Sequence, residues 1–420
     1  MTRQMKSSGI EWIGEIPADW NIRKIFQVFT QVKCKNQGMA ETNLLSLSYG
    51  KIKQKNIETS FGLLPESFES YNIIDKNDIV LRLTDLQNDQ KSLRVGLSTQ
   101  RGIITSAYVT IRAKNPRMAP YLYYLLHTFD IKKGFYGMGD GVRQGLNWDE
   151  LKHLSFVLPS LSEQQKIADY LDEKCSAIDE VIAKTEQSVE EYKKLKQSVI
   201  TEAITKGIRP NRKMKSSGVE WIGDIPEKWN VRKLFQVFTQ VKNKNQGMVE
   251  TNLLSLSYGK IKQKNIETSF GLLPESFETY NIIDKNDIVL RLTDLQNDQK
   301  SLRVGLSTQR GIITSAYVTM RAKKPHMAPY LYYLLHTFDI EKGFYGMGDG
   351  VRQGLNWDEL KHLSFVLPPL SEQKEIADYL DKKCAEIDSL IEKKQQFLTE
   401  LAIYKKSMIY EYVTGKKEAA

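Results

Sequence analysis

Three polar, basic segments of this 420-residue chain contain closely spaced Lys, Arg, Gln and Asn side chains. In the first segment, Lys51, Lys53 and Lys55 stand at alternate positions. On a strand this spacing places all three ammonium groups on one face, where they can neutralise successive phosphates. A solvated edge strand guarded by lysines gives the same pattern, so the sequence leaves both interpretations open.

The second segment has the side chains that recognise base edges. It contains Arg82, Thr84, Gln87 and Asn88, and it is followed by Arg94 and Arg101. Arginine forms paired hydrogen bonds with guanine, and asparagine and glutamine form them with adenine, so this segment is the best candidate for base readout. The alternative is an ordinary turn, because Asp and Asn are common turn residues.

The third segment is glycine-rich and runs from Gly137 to Trp148. Its glycines permit a close approach of the backbone to a ligand, and Arg143, Gln144 and Asn147 are placed to reach phosphate or base. Packing of this loop against the base of a following helix explains the pattern equally well.

Each of these side chains recurs 209 residues further along the chain. We therefore predict the same contacts for the second set, which consists of Lys260, Lys262, Lys264, Arg291, Thr293, Gln296, Asn297, Arg303, Arg310, Arg352, Gln353 and Asn356.

An enzymatic function has weaker support in the sequence. There is no GxxxxGK[ST] loop, no GxGxxG loop and no Asn-Pro-Pro-Tyr box. Glu150 and Lys152, with Asp140 upstream, allow a metal-dependent nuclease site to be imagined, and Mg²⁺-dependent cleavage by the isolated chain would reveal it. His127 and His153 lack the spacing of metal ligands. We expect a chain with no catalytic residues, no bound metal and no cofactor of its own.

Composition indicates a folded protein with more than one domain. The chain is longer than one hydrophobic core usually organises, and 41% of its residues are hydrophobic. We expect a cytoplasmic protein, because no apolar run is long enough for a membrane span or a signal peptide. Cys34, Cys175 and Cys384 lie too far apart for a CxxC pair, which argues against a zinc site or a disulfide framework.

A tandem repeat organises the whole chain. Met5 aligns with Met214, and the alignment continues without a gap to about Thr205 and Thr414. A period this long indicates two domain units rather than a solenoid. The copies are nearly identical up to Pro159 and Pro368 and diverge beyond these prolines.

The prolines divide the chain into four predicted segments: globular domains at 1–159 and 209–368, and helices at 160–208 and 369–420. The two globular segments are net positive, whereas the two helical segments are net negative, although the chain as a whole carries +9. A positive charge concentrated in the globular segments favours a nucleic-acid partner for them.

The helical segments have apolar or small residues at intervals of three and four, which predicts two coiled-coil helices of about 45 residues and roughly 65 Å. The first series is Ala168, Leu171, Cys175, Ile178, Ile182, Thr185, Val189, Tyr192 and Val199, and the second is Ala377, Leu380, Cys384, Ile387, Ile391, Lys394, Leu398, Leu401 and Met408. Ser162 is the predicted N-cap, with Gln165 as its capping-box partner. Gly207 is the predicted C-terminal stop.

The globular segments have short strand-like runs between turn residues. The predicted strands are Leu44 to Leu47, Ile79 to Leu83, Ile103 to Thr110 and Phe156 to Leu158, and a short helix is predicted from Tyr121 to Thr128. The resulting fold class is α/β of the mixed α+β kind, in two copies joined by two long helices.

Several motifs resemble the specificity subunit of type I restriction-modification systems. They are Glu11-Trp12-Ile13-Gly14-Glu15-Ile16-Pro17, Asn77-Asp78-Ile79-Val80, Gly141-Val142-Arg143-Gln144-Gly145-Leu146 and Leu158-Pro159-Ser160-Leu161-Ser162-Glu163-Gln164. Each recurs in the second copy, with Asp224 in place of Glu15 and Pro369 in place of Ser160. The resemblance covers essentially the whole chain, twice.

This resemblance implies a non-catalytic subunit with two target-recognition domains and two helices that pair antiparallel in a pseudo-twofold arrangement. Each domain would read one half of a split double-stranded DNA target, while the helices set the gap and dock two methyltransferase subunits. Restriction-translocase subunits would join them, and S-adenosylmethionine, ATP and Mg²⁺ would belong to these partners.

One departure from the family carries a prediction of its own. Typical members have two unlike recognition domains, whereas these two are nearly the same, and exchanges such as Lys132 to Glu341 lie outside the three basic segments. Two equivalent readers around a pseudo-twofold axis would read the same half-site on opposite strands. The sequence therefore predicts an interrupted palindromic target.

Overall fold

The computed structural model describes residues 3–55, 65, 67–86, 89, 93–136, 138, 145–264, 274, 276–295, 298, 301–345, 347 and 354–419. The chain forms two compact units. The first unit consists of Met1–Glu186 and Gln396–Ala420, and the second consists of Gln187–Gln395. Each unit therefore contains one globular part and a segment from each of the two long helices.

The globular part of the first unit consists of short strands and short helices. The strands are β1 (Met5–Ser7), β2 (Glu15–Pro17), β3 (Asn21–Lys24), β4 (Phe29–Gln31), β5 (Leu45–Ser48), β6 (Lys51–Gln54), β7 (Asn72–Ile74), β8 (Ile79–Leu81), β9 (Val95–Leu97), β10 (Gly102–Ile104), β11 (Val109–Ala113) and β12 (Ser155–Leu158). The helices are α1 (Ile25–Val28), α2 (Ala119–Ile131) and α3 (Trp148–Leu151), followed by the long helix α4 (Leu161–Lys206).

The second unit repeats this order of elements. Its strands are β13 (Met214–Ser216), β14 (Asp224–Pro226), β15 (Asn230–Lys233), β16 (Phe238–Gln240), β17 (Leu254–Ser257), β18 (Lys260–Gln263), β19 (Asn281–Ile283), β20 (Ile288–Leu290), β21 (Val304–Leu306), β22 (Gly311–Ile313), β23 (Val318–Ala322) and β24 (Ser364–Leu367). Its helices are α5 (Leu234–Val237), α6 (Ala328–Ile340), α7 (Trp357–Leu360) and the long helix α8 (Leu370–Val413).

An antiparallel four-stranded sheet lies at the centre of each globular part. In the first unit its order is β4-β11-β8-β9, and in the second unit it is β16-β23-β20-β21. Every residue of β8 is buried. This explains why β8 reads as a continuous apolar run rather than an alternating one.

The strand predicted from Ile103 to Thr110 is two strands. β10 ends at Ile104 and β11 begins at Val109. Between them the chain turns, and Tyr108 donates its backbone N–H to the carbonyl of Thr105. β10 pairs with β7, whereas β11 pairs with β4 and β8. One predicted strand thus contributes to two different sheets, and the break lies at Ser106 and Ala107, where the β-branched residues are interrupted.

The ends of the long helices belong to the cores of the globular parts. In the first unit, Ile167 and Leu171 of α4 and Ile409 of α8 share one apolar cluster with Trp20 and Tyr121. In the second unit, Ile200 and Ile204 of α4, together with Ile376 of α8, do the same with Trp229 and Tyr330. The helices therefore stabilise the globular parts and are not simple spacers, which the division into four segments did not anticipate.

The long helices confirm the predicted length and the predicted end of α4. α4 has 46 residues and α8 has 44. Gly207 follows α4 with a φ of 79°, as a C-terminal stop requires. The predicted N-cap was wrong by two residues, because Ser160 rather than Ser162 accepts a hydrogen bond, from the N–H of Glu163. Among the described helices, none is apolar over a stretch long enough to cross a membrane.

Within each unit the segments of α4 and α8 run antiparallel. In the first unit Tyr170 contacts Tyr412, and Asp179 pairs with Lys405. In the second unit Lys196 pairs with Asp388. Residue numbers rise along α4 as those of the facing residues fall along α8, which confirms the antiparallel pairing. The strands and helices of each globular part confirm the mixed α/β fold class.

Candidate nucleic-acid interface

The first basic segment forms one strand of a two-stranded hairpin. β6 pairs with β5, so that Lys53 lies opposite Ser46 and Lys51 lies opposite Ser48. Leu45 and Leu47 are buried on the other face of this hairpin. Because side chains alternate along a strand, Lys51 and Lys53 share the outer face with the two serines. The predicted common face for these lysines is thus present, and Lys55 follows it in an exposed position.

The turn of this hairpin explains its register. Tyr49 and Gly50 have φ values of 47° and 75°, the left-handed conformation at both central positions of a tight two-residue turn. The signal for this turn was in the sequence, because Leu-Ser-Leu-Ser alternates before it and Lys-Ile-Lys alternates after it. The serines that accompany the lysines are polar candidates that the sequence-based prediction missed.

The structure supports both interpretations of the lysine strand. Among the described strands, β6 hydrogen-bonds only with β5, so it is an edge strand of the kind that lysines protect. Lys51 also lies 3.3 Å from a carboxylate oxygen of Asp179 on α4. Lys53 is exposed on the outer face of the hairpin, which leaves its ammonium group to solvent. Lys53 is therefore the better placed of the two for a phosphate.

The second segment lies directly after β8. Thr84 is exposed, and the Arg82 guanidinium lies 3.5 Å from a carboxylate oxygen of Asp89. The second unit repeats this geometry at Thr293 and Arg291. Gln87 and Asn88, with Gln296 and Asn297, lie outside the described residues and stay predictions.

Arg94 and its counterpart Arg303 are not available to DNA. Both side chains are fully buried, so their prediction as DNA contacts was wrong. The Arg94 guanidinium donates to four backbone carbonyls, those of Arg82, Thr84, Asp85 and Asp89. A buried charge needs this many acceptors, and here they all lie on the loop that contains Arg82. Arg94 therefore fixes the backbone of the candidate readout loop at Arg82, Thr84, Asp85 and Asp89.

The backbone N–H of the buried arginine is itself bound by a buried carboxylate. Asp130 of α2 accepts a hydrogen bond of 2.5 Å from the backbone N–H of Arg94. Burial raises the pKa of Asp130 to about 6, although the backbone bond from Arg94 and its charge lower the pKa. Asp339 repeats this arrangement with Arg303. The loop is thus attached to the helix behind it.

Arg101 is exposed but already paired with two carboxylates. Its guanidinium lies 2.7 Å from Asp75 and 3.2 Å from Glu41. Arg112, which the sequence-based prediction did not include, bonds Asp75 and Asp78. Although burial raises the pKa of Asp75, the bonds from Arg101 and Arg112 lower it overall. A phosphate at Arg101, or at its counterpart Arg310, must compete with these carboxylates.

Asn147 forms a helix cap. Its side-chain oxygen accepts from the N–H groups of Asp149 and Glu150, and Glu150 accepts in return from the N–H of Asn147. Asn356 makes the same cap in the second unit. The structural alternative therefore accounts for both asparagines. Arg143, Gln144, Arg352 and Gln353 lie outside the described residues and stay predictions.

The nuclease alternative gains no support from the described geometry. Glu150 is engaged in the cap, and Lys152 pairs at 2.5 Å with Asp149. Asp140 lies outside the described residues. Across the part of the chain that the structure describes, no three His, Cys, Asp or Glu side chains are grouped so that they could hold a metal ion.

Comparison with known proteins gives a consistent result for both units. The family described as type I restriction modification DNA specificity domain matches residues 17–191 and 226–400. Two chains of Methanocaldococcus jannaschii named as specificity subunits of the type I restriction enzymes MjaX and MjaVIII are 26% and 25% identical to this chain. Each comparison covers 96% of this chain, with 95% of the first relative and 93% of the second.

A solved structure extends the likeness to the fold. A chain of a type I restriction-modification system superposes with a TM-score of 0.66, at 15% identity, over 96% of this chain and 99% of its own length. At this identity the likeness concerns the fold alone.

Proposed function

Because this chain belongs to the type I restriction-modification DNA specificity family, we propose that it is the subunit that selects the DNA target for methylation and cleavage by its partner subunits. The family is one of specificity subunits, so the chain is not itself the enzyme. Each globular part is a target-recognition domain that reads one half of a bipartite site in double-stranded DNA. The long helices set the distance between the halves and dock two methyltransferase subunits.

The observation that carries the proposal is the duplicated hairpin. Lys51 and Lys53 share an outer face with Ser46 and Ser48, and Lys260 and Lys262 share one with Ser255 and Ser257. Lysines on one strand face neutralise phosphates, and hydroxyls add hydrogen bonds to them. In each unit a buried arginine bonds backbone carbonyls at described positions of the candidate base-reading loop, so these positions are held before DNA binds. A loop held in advance loses less conformational entropy on binding.

The candidate DNA contacts follow from exposure. We retain Lys51, Lys53, Lys55, Arg82, Thr84 and Arg101 with their counterparts Lys260, Lys262, Lys264, Arg291, Thr293 and Arg310. S-adenosylmethionine, ATP and Mg²⁺ belong, in this proposal, to the methyltransferase and restriction-translocase partners. The cytoplasmic placement also stays a prediction.

Identity between the two recognition domains leads to the second part of the proposal. The side chains that form the hairpin and the readout loop are the same in both units. We infer that the two halves of the target are reverse complements of each other, separated by bases that are not read.

Selection from a random DNA library tests this proposal. The full chain, purified with its methyltransferase subunits, should enrich a split motif whose halves are reverse complements. A matched pair of variants, Lys51→Ala/Lys53→Ala and Lys260→Ala/Lys262→Ala, should weaken binding equally, with Lys76→Ala as the charge control. Enrichment of no motif would contradict DNA recognition, whereas two unrelated halves would contradict only the palindrome.

A further inference from the structure

The ends of the two long helices close on the two globular parts through equivalent positions that carry different residues. In the first unit the Lys132 ammonium lies 4.3 Å from the centroid of the Tyr410 ring on α8. In the second unit Glu341 occupies the position of Lys132, and Thr201 of α4 occupies that of Tyr410. There the Thr201 hydroxyl donates to a Glu341 carboxylate oxygen at 3.3 Å. In each unit, the residue of the globular part therefore makes a favourable contact with the residue of the helix end that packs against it.

A contact can distinguish the two helix ends only if the residues on both sides differ between units. Tyr412 shows why. Its ring lies 4.5 Å from that of Tyr170, and the two hydroxyls are 3.0 Å apart. The counterpart of Tyr170 is also a tyrosine, Tyr379, so the α8 end would find a tyrosine in either unit. Tyr412 therefore stabilises the packing of the α8 end but does not select the first globular part over the second.

The ion pairs between the helices do not distinguish the units either. Lys405 pairs with Asp179 at 2.5 Å in the first unit. Lys196 pairs with Asp388 at 2.6 Å in the second. Since both positions keep the same residues, this pair favours either combination of helix ends equally.

We propose that Lys132 and Glu341 are specificity-determining residues that direct the end of α8 to the first globular part and the end of α4 to the second. In the exchanged combination, the Glu341 carboxylate would face the electron-rich ring of Tyr410, and Lys132 would face Thr201 and lose its ring. A cation over an aromatic face is attracted, whereas an anion there is repelled. Because the two globular parts are otherwise nearly identical, these contacts disfavour packing of an α8 end against a second globular part, whether of the same chain or of another copy.

Hydrogen exchange of the amides in Ile409–Val413 tests the first contact in the full chain. Lys132→Glu should speed their exchange about three- to tenfold, because a cation–π contact is replaced by a repulsion. In a chain that already carries Tyr410→Thr, the same Lys132→Glu should speed exchange by less than about twofold, since this pair recreates that of the second unit. Lys76→Glu, at an exposed turn residue of the same unit, controls for the change in net charge.

The reciprocal variants test the second contact. Glu341→Lys should speed exchange of the amides in Ile200–Ile204, and Thr201→Tyr in the same chain should remove that effect. A chain with both Lys132→Glu and Glu341→Lys should form dimers in which the α8 end of one copy packs against the second globular part of the other. After refolding at high concentration, the fraction of such dimers should be several times that of the wild type. Equal effects of Lys132→Glu in the wild-type chain and in the chain that carries Tyr410→Thr would overturn the proposal. No effect of Lys132→Glu in the wild-type chain would overturn it as well.

Discussion

The two globular parts of this chain are nearly identical, whereas the two helix ends that pack against them differ in sequence. In both globular parts a buried arginine, Arg94 or Arg303, makes the same set of bonds to a loop of the same sequence. At the helix ends, Tyr410 and Tyr412 stand where the other helix has Thr201 and Ala203. The recognition parts are thus duplicated, whereas the residues that close each unit are individual. This difference is the pattern expected if both globular parts read the same half-site while each helix end packs against one particular globular part.

The largest expected effect tests the sameness of the globular parts. Arg94→Met removes a buried guanidinium that donates to four backbone carbonyls and should lower the free energy of unfolding of its unit by about 3 to 5 kcal/mol. Arg303→Met should do the same to the second unit. Denaturant unfolding with hydrogen exchange measures both, and Arg101→Met, at an exposed ion pair, should cost no more than about 1 kcal/mol. A small effect, or unequal effects of the two substitutions, would contradict the equivalent structural role of Arg94 and Arg303.

The next prediction concerns which helix end packs against which globular part. Ile409 and Ile200 occupy equivalent positions and are both buried. Ile409→Ala should destabilise the first unit, and Ile200→Ala should destabilise the second, each by about 2 to 5 kcal/mol. Amide hydrogen exchange in α2 measures the stability of the first unit, and amide hydrogen exchange in α6 measures that of the second. If Ile200→Ala lowered protection in α2 as much as in α6, the assignment of helix ends would be wrong.

The two buried histidines give a pH dependence that should be the same in both units. Burial and the nearby Lys405 and Lys406 lower the pKa of His127 to about 4, and burial and Lys196 lower that of His336 to about 4. An unfolded histidine titrates near 6.5. Stability that each neutral histidine contributes above this pH is therefore lost as the pH falls toward 4, by about 1 to 3 kcal/mol per site.

Unfolding experiments from pH 7 to pH 4 measure this loss by comparing the wild type with His127→Gln and His336→Gln. The variants should lose less stability on acidification. Asp130 and Asp339, whose pKa values burial raises to about 6, act in the opposite direction, because their contribution is largest below the unfolded pKa and disappears as the pH rises through 6. An unchanged acid loss in both histidine variants would contradict the burial of these side chains.

The smallest expected effect separates DNA contact from folding. Lys53→Ala should leave the free energy of unfolding unchanged and should reduce the salt dependence of DNA binding by about one phosphate contact. Lys262→Ala should match it in the second unit, and the double variant should show the sum. Lys285→Ala, the counterpart of the control at Lys76, should leave the salt dependence as it is. Unequal changes would show that the two hairpins meet DNA differently.

The sequence predicted those features that depend on pattern along the chain. The repeat, the helical seam and the glycine after α4 are local or periodic, and the structure has them. It did not predict the role of Arg94, because the carbonyls that bind its guanidinium come together only when the loop folds over it. Asn147 was ambiguous because the same side chain caps helices and reads bases. The helix ends in the cores depend on contacts across hundreds of residues, such as Tyr121 with Val413.

Two nearly identical recognition domains should select a symmetric DNA target, and a methylation map of host DNA measures that target. Single-molecule sequencing of DNA from cells with the complete system should be compared with DNA from cells that lack only this chain. We expect one interrupted palindrome to lose its methylation on both strands when the chain is removed. Methylated sites with two unrelated half-sites would contradict it.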